Sequence, residues 1–162
     1  MAMTKSATAA MTAIQQLLAE EDVTIKDFFV AGASKRGWTT WTTAAVDDRV
    51  RAIAPIVIDL LNIEPSFEHH WRVYGFWSPA IQDYVDMSTT DWWRSAESHA
   101  LFDLVAPLSY RDRYTMPKLI LNAAGDEFFV PTSTQFYYDK LPNEKYLRYV
   151  PNVGHGIDDS DA

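Results

Sequence analysis

Four short apolar runs recur along the chain: FFVA at 28–31, RAIAPIVI at 51–58, PKLILN at 117–122 and KYLRYV at 145–150. Runs of this length without polar alternation are the pattern of strands covered on both faces. The segments between them have helical character. Strands that alternate with helices join by right-handed crossovers into a parallel sheet. The pattern therefore predicts an α/β fold of four parallel strands with flanking helices. Pro55 inside the second run predicts an edge position or a bulge there, because proline cannot donate to a ladder.

The helical segments are read from their periodicity. Met3, Ala7, Ala10, Met11, Ile14, Leu17 and Leu18 recur at three- and four-residue intervals, the stripe of an amphipathic helix. Residues 35–46 form a second helix, with Trp38, Trp41 and Ala45 on one side. Its threonines at 39, 40, 42 and 43 are weak helix formers, so packing has to hold it. Shorter helical patches are expected at 65–74, 79–86 and 94–104, and another helix at 132–140 behind Pro131.

Composition then removes several classes of function. The chain has 162 residues, enough for one domain, and its 48% hydrophobic content is too high for disorder. Its net charge of −8 argues against a nucleic-acid backbone or an anionic membrane as the main partner. The absence of cysteine excludes disulfides, Cys-ligated zinc, iron–sulfur clusters and thiol catalysis. No stretch has the roughly 18 consecutive apolar residues of a transmembrane helix. The opening residues lack the continuous apolar run of a signal peptide.

In parallel sheets, sites form at the carboxyl ends of strands. Ser34, Asp59, Asp126 and His155 each fall just past a predicted strand. Ser34 lies between a strand and a helix, with Gly32 and Gly37 around it. A nucleophile needs a sharp turn of this kind to present its hydroxyl, and the Lys35 amide at the helix start can donate to an oxyanion. Serine needs a neighbouring base, and His155 in its Gly-flanked loop is the histidine placed to serve. That base needs an anion to fix its tautomer. Asp126 is the leading candidate, with Glu127 and Asp59 as alternative acids. The order Ser, acid, His is that of α/β-hydrolases.

The segment 59–109 is different in character. It holds the tryptophans at 71, 77, 92 and 93 and the histidines at 69, 70 and 99, and it reads as a cap over the site. The tryptophans are either the cap's own core or substrate contacts. Adjacent His69 and His70 cannot chelate from one helix face, so no metal is expected. The acidic residues Asp158 and Asp159 form a solvated tail that could hold a cation loosely near His155.

Several long motifs carry a family resemblance. GASKRGWTTW at 32–41, DDRVRAIAPIVID at 47–59, SYRDRYTMPKLILNAAGDEFFVP at 109–131 and LPNEKYLRYVPNVGHG at 141–156 resemble the PhoPQ-activated pathogenicity-related protein family. MTKSA at 3–7 resembles the helix before that family's nucleophile strand. The resemblance implies an α/β-hydrolase fold with Ser34, Asp126 and His155 as nucleophile, acid and base. It also implies no cofactor, and secretion or a periplasmic location for the parent protein. The turn is similar as well to the G-C-S-R-x-G-K elbow of glucuronoyl esterases, with Ala33 for the cysteine and Trp38 for the lysine.

The strands that normally precede the nucleophile strand of this fold, and the second oxyanion donor they bring, do not appear here. The expectation is a single incomplete α/β-hydrolase domain over 1–162, the C-terminal part of a serine hydrolase and weak or inactive alone. Its substrate would be a small-molecule or peptide acyl compound. An open apolar edge on the first strand predicts self-association. The alternatives are a non-catalytic binding or signalling protein with hydrolase form, and a peptidase.

Overall fold

A computed structural model describes residues 1–157 of the chain. Four parallel strands lie in the order β1 (Phe28–Ala33), β2 (Val50–Ile56), β3 (Lys118–Ala123) and β4 (Lys145–Val150), so strand order follows chain order. Helix α1 (Ala2–Ala19) precedes β1, and α2 (Lys35–Val46) crosses from β1 to β2. Between β2 and β3 run α3 (Ile63–Tyr74), α4 (Gln82–Asp86), α5 (Thr89–Trp92) and α6 (Ala96–Val105). No helix among the described residues is long and apolar enough to cross a membrane.

The core lies between one face of the sheet and α2 with its neighbours. Phe28 and Val30 of β1, Ile53 of β2, Ile120 of β3 and Leu147 of β4 pack there against Trp41, Tyr114 and Tyr137. The Trp41 and Tyr114 rings meet edge to face at 4.8 Å, and the Tyr114 hydroxyl donates to the Pro107 carbonyl at 2.8 Å. All four threonines of α2 are buried. Thr39, Thr40 and Thr42 bond back to the carbonyls of Lys35, Arg36 and Trp38, and Thr42 also meets Thr4 of α1 at 2.7 Å. Packing and three satisfied hydroxyls thus hold a helix that propensity would not, while among the described residues the buried Thr43 hydroxyl finds no partner.

Several expectations change. β1 is not covered on both faces: its residues alternate between half-buried and exposed, and Phe29 is 64% exposed. Leu119 and Tyr146 on the same face are exposed too, so helices cover only one side of the described sheet. The apolar stripe of α1 is also only partly used, since Met11 is buried while Ile14 and Leu17 are exposed. Pro55 sits neither on an edge strand nor in a bulge. β2 is interior, and Pro55 pairs in register with Gly32. The amides of Ile53 and Val57 donate to Pro117 and Leu121 of the β3 side, so proline simply omits the bond between those two. The bulge of β2 falls instead at Arg51, where the register with β1 shifts between Phe28 and Phe29.

The expected helix at 132–140 is two 3-10 stretches, Pro131–Phe136 and Tyr138–Lys140. The hydroxyl of Tyr149 takes the Pro131 carbonyl, an acceptor the first turn of an α-helix would use, and Tyr137 is extended in φ at −144°. Lys118, within an apolar run, is 1% exposed. Its ammonium donates to the carbonyls of Tyr114 and Met116, both at 2.7 Å, and burial lowers its pKa to about 8.

Candidate active site

Ser34 ends β1 and caps α2. Its backbone sits at φ 53°, ψ −124°, a region costly for any residue with a side chain. Hydrogen bonds hold it there: its amide donates to the Ile56 carbonyl at 2.8 Å, and its carbonyl accepts from Trp38 at 3.0 Å. The two glycines make the turn sterically feasible. A Cβ on Gly32 would stand 2.6 Å from the Arg36 carbonyl oxygen. One on Gly37 would stand 2.8 Å from Ile58 Cγ2 and 2.9 Å from the Gly32 carbonyl oxygen. Lys35 is the first residue of α2, so its amide has no intrahelical acceptor.

Strain at a reactive position makes a prediction. Ser34→Gly relieves the backbone and is expected to raise unfolding free energy by about 1–2 kcal/mol. Ser34→Ala keeps the strain and changes stability little. Chemical denaturation of the two variants measures the difference.

Asp126 follows β3 just after the turn at 124–125 and is 3% exposed. Its Oδ1 accepts from the amides of Phe128 at 2.8 Å and Phe129 at 3.0 Å, which fixes the carboxylate. His155 lies in the loop after β4. That loop is tied to the Asp126 turn by bonds from Gly125 N to the Val153 carbonyl and from Ala124 N to the Val150 carbonyl.

The three side chains meet. His155 Nδ1 is 3.1 Å and 3.0 Å from the two Asp126 oxygens, and His155 Nε2 is 2.8 Å from Ser34 Oγ. An ionised carboxylate only accepts, so Nδ1 carries the proton and Nε2 is free to accept from the serine hydroxyl. The arrangement can withdraw the hydroxyl proton as the oxygen attacks a carbonyl carbon, and can hold the imidazolium that results.

The alternative acids lie elsewhere. Glu127 Oε2 accepts from the backbone amide of His155 at 3.0 Å, not from its ring, and that bond lowers the Glu127 pKa. Asp59 is 2% exposed and turned toward Tyr149, whose hydroxyl is 3.4 Å from its Oδ2. Burial raises the Asp59 pKa to about 7 against the opposing pull of the Tyr137 hydroxyl, the Thr134 amide and the Tyr149 hydroxyl. Phe128, not singled out by the sequence, stacks on the imidazole with ring centroids 4.4 Å apart. Its only signal was its position two residues after the acid.

The remaining histidines are away from this centre. His69 bonds Thr132, His70 accepts from the Ser78 amide, and His99 pairs with Glu64. Among the described residues no group of three or more His, Asp or Glu is placed to hold a metal ion. Trp77 and Trp93 pack edge-on around Phe67, as core of the 59–109 segment, whereas Trp71 is 47% exposed. The tail residues Asp158 and Asp159 lie outside the described residues.

Comparison with known proteins fits this geometry. In fold the chain is similar to the acylaminoacyl peptidase of Pyrococcus horikoshii, with a TM-score of 0.61 and 15% identity over 92% of this chain and 23% of that one. It is also similar to the acetyl xylan esterase of Paenibacillus sp. R4, with a TM-score of 0.56 and 20% identity over 89% of this chain and 45% of that one. These likenesses make the sheet part of an α/β-hydrolase fold. In sequence it is 43% identical, over 157 residues, to autocrine proliferation repressor protein A of Dictyostelium discoideum. That match covers 96% of this chain and 32% of the relative, so the chain spans about a third of the relative's length. The family model of the PhoPQ-activated pathogenicity-related proteins matches residues 1–162. The chain belongs to the PhoPQ-activated pathogenicity-related protein family.

Proposed function

We propose that this chain carries the catalytic triad of a serine acyl hydrolase, with esters as the substrate class. The observation that carries the reading is the 2.8 Å contact between His155 Nε2 and a strained Ser34. Ser34 Oγ attacks the ester carbonyl while His155 takes its proton, and the Lys35 amide donates to the oxyanion. Collapse breaks the bond to the alcohol, which leaves with the proton from His155. Water, deprotonated by the same imidazole, then releases the carboxylic acid and restores the serine. Asp126 keeps Nδ1 protonated throughout. The helical segment 59–109 caps the site and selects the acyl or alcohol group.

A second reading is favoured by the name of the Dictyostelium relative. There the hydrolase form serves binding or signalling, and the triad is not used. Ser34→Ala separates the two. On the hydrolase reading, turnover of 4-nitrophenyl acetate and any biological effect of the protein fall together. An effect that survives Ser34→Ala with its full strength supports the binding reading.

The open edge of β1 and the bare sheet face beside it give the chain a surface for pairing with another strand. The isolated chain is expected to sediment as dimers or larger species. Phe29→Lys places a charge on that edge strand and shifts the population toward monomer. A wild-type chain that sediments as a monomer at micromolar concentration would refute the pairing.

A further inference from the structure

Beside the triad acid lies a cavity of about 260 Å³ that the hydrolytic reading leaves unused. One wall comes from the end of α3. Gly75, at φ 73°, stops that helix in the left-handed conformation and donates to the Trp71 carbonyl at 2.8 Å, which turns Phe76 out of the helix path. The rings of Tyr74 and Phe76 both line the cavity and lie 6.0 Å apart. The opposite wall is the loop after β3, with Asp126, Glu127 and Pro131.

The charges on this cavity have one sign. Asp126 is committed to His155 and to two backbone amides. Glu127 uses Oε2 for the His155 amide, and among the described residues no side-chain or backbone hydrogen bond is formed at its Oε1. The Tyr74 phenol feels both carboxylates, which add to burial in raising its pKa. Among the described residues no lysine or arginine lines the cavity.

This chemistry discriminates among ligands. An anion would meet a carboxylate with no cation to compensate. A neutral hydrocarbon would strip water from Glu127 without return. A hard metal ion needs several convergent oxygens, and among the described residues no group of three acidic or histidine side chains is placed to hold one. An organic cation gains from the ring faces and from the carboxylate together. The volume is below the roughly 300–1,000 Å³ of sites that enclose whole ligands, so it suits a head group.

We propose that the cavity between Tyr74, Phe76 and Glu127 is a subsite for a substituted ammonium group, carried by the substrate beside the triad. Its role toward substrate rests on the hydrolase reading; its capacity to bind a cation does not.

The test uses choline and its neutral isostere 3,3-dimethyl-1-butanol, titrated into the chain and followed by calorimetry or ligand-observed NMR. Choline is expected to bind at least about tenfold more tightly than the isostere, and Glu127→Gln to remove about tenfold of that affinity. Phe76 is half exposed, so Phe76→Leu leaves the fold intact, and it should weaken choline several-fold. Equal binding of choline and isostere, or full choline affinity in both variants, overturns the subsite. Hydrolysis of acetylcholine against 3,3-dimethylbutyl acetate gives the second arm. A preference for acetylcholine that vanishes in Glu127→Gln supports the subsite. If choline binds selectively and neither ester is cleaved, the cation site stands and the triad reading fails. If both esters are cleaved equally and choline does not bind, the triad stands and the subsite fails.

Discussion

Asp126→Asn is expected to slow acylation of Ser34 by an activated ester about 10⁴-fold while leaving the unfolding midpoint nearly unchanged. Asparagine keeps the Oδ1 that accepts from the Phe128 and Phe129 amides, so the turn after β3 survives. What it loses is the second acceptor at His155 Nδ1. An amide group facing that nitrogen favours the tautomer with the proton on Nε2, which then faces Ser34 Oγ with a donor instead of an acceptor. The imidazolium of the transition state also loses its counter-charge. Burst kinetics with 4-nitrophenyl acetate measure the rate, and thermal unfolding measures the fold. A variant that acylates as fast as wild type would assign the acid role to another residue. Glu127→Gln is the matched control. Its contact is with the His155 backbone, so it should slow acylation far less.

Asp59→Asn should stabilise the protein at alkaline pH by about 2–4 kcal/mol and have little effect near pH 4. The reason is burial. Asp59 is 2% exposed, and desolvation raises its pKa from 3.8 to about 7 despite the Tyr137 hydroxyl, the Thr134 amide and the Tyr149 hydroxyl, which favour the charged form. The unfolded chain releases this proton near pH 4 and the folded chain only near pH 7. Wild-type stability from this group is therefore full below pH 4 and falls through the window up to pH 7, after which it is flat. An asparagine at 59 carries no charge at any pH, and its Oδ1 can still accept from the Tyr149 hydroxyl. Denaturant unfolding at pH 5 and pH 8 reads the difference between wild type and variant. A constant offset across that range would mean that Asp59 is ionised in the fold.

Much of this was legible in the sequence, for identifiable reasons. The runs at 28–31, 51–58, 117–122 and 145–150 fall on or against the four strands because short apolar segments rich in β-branched and aromatic residues favour sheet, even where only one face is covered. Ser34, Asp126 and His155 were picked out because strand ends converge in a parallel sheet, and their side chains do meet there. Asp126 is the leading acid by position, although Glu127 lies in the same loop. The decision belongs to backbone geometry, namely which carboxylate the amides of Phe128 and Phe129 hold toward the ring.

Other features depend on neighbours distant in sequence. Pro55 reads as an edge signal, yet it is tolerated in an interior strand because it drops only one bond of the β2–β3 ladder. Lys118 is the one charged residue in the run at 117–122, and two carbonyls 2.7 Å away let it be buried. Residues 132–140 read as a helix behind Pro131, but Thr, Ser, Phe and Tyr are weak helix formers, and Tyr149 of β4 takes the Pro131 carbonyl. The apolar residues of β1 suggested burial on both sides, whereas Phe29 faces solvent.

The central claim is that Ser34 is an activated nucleophile. Incubation with a fluorophosphonate, followed by proteolysis and mass spectrometry, tests it directly. The predicted result is one phosphonyl adduct on the peptide containing Ser34, absent from His155→Ala and Ser34→Ala. A folded protein whose Ser34 stays unmodified, under conditions that label known serine hydrolases, would contradict the claim.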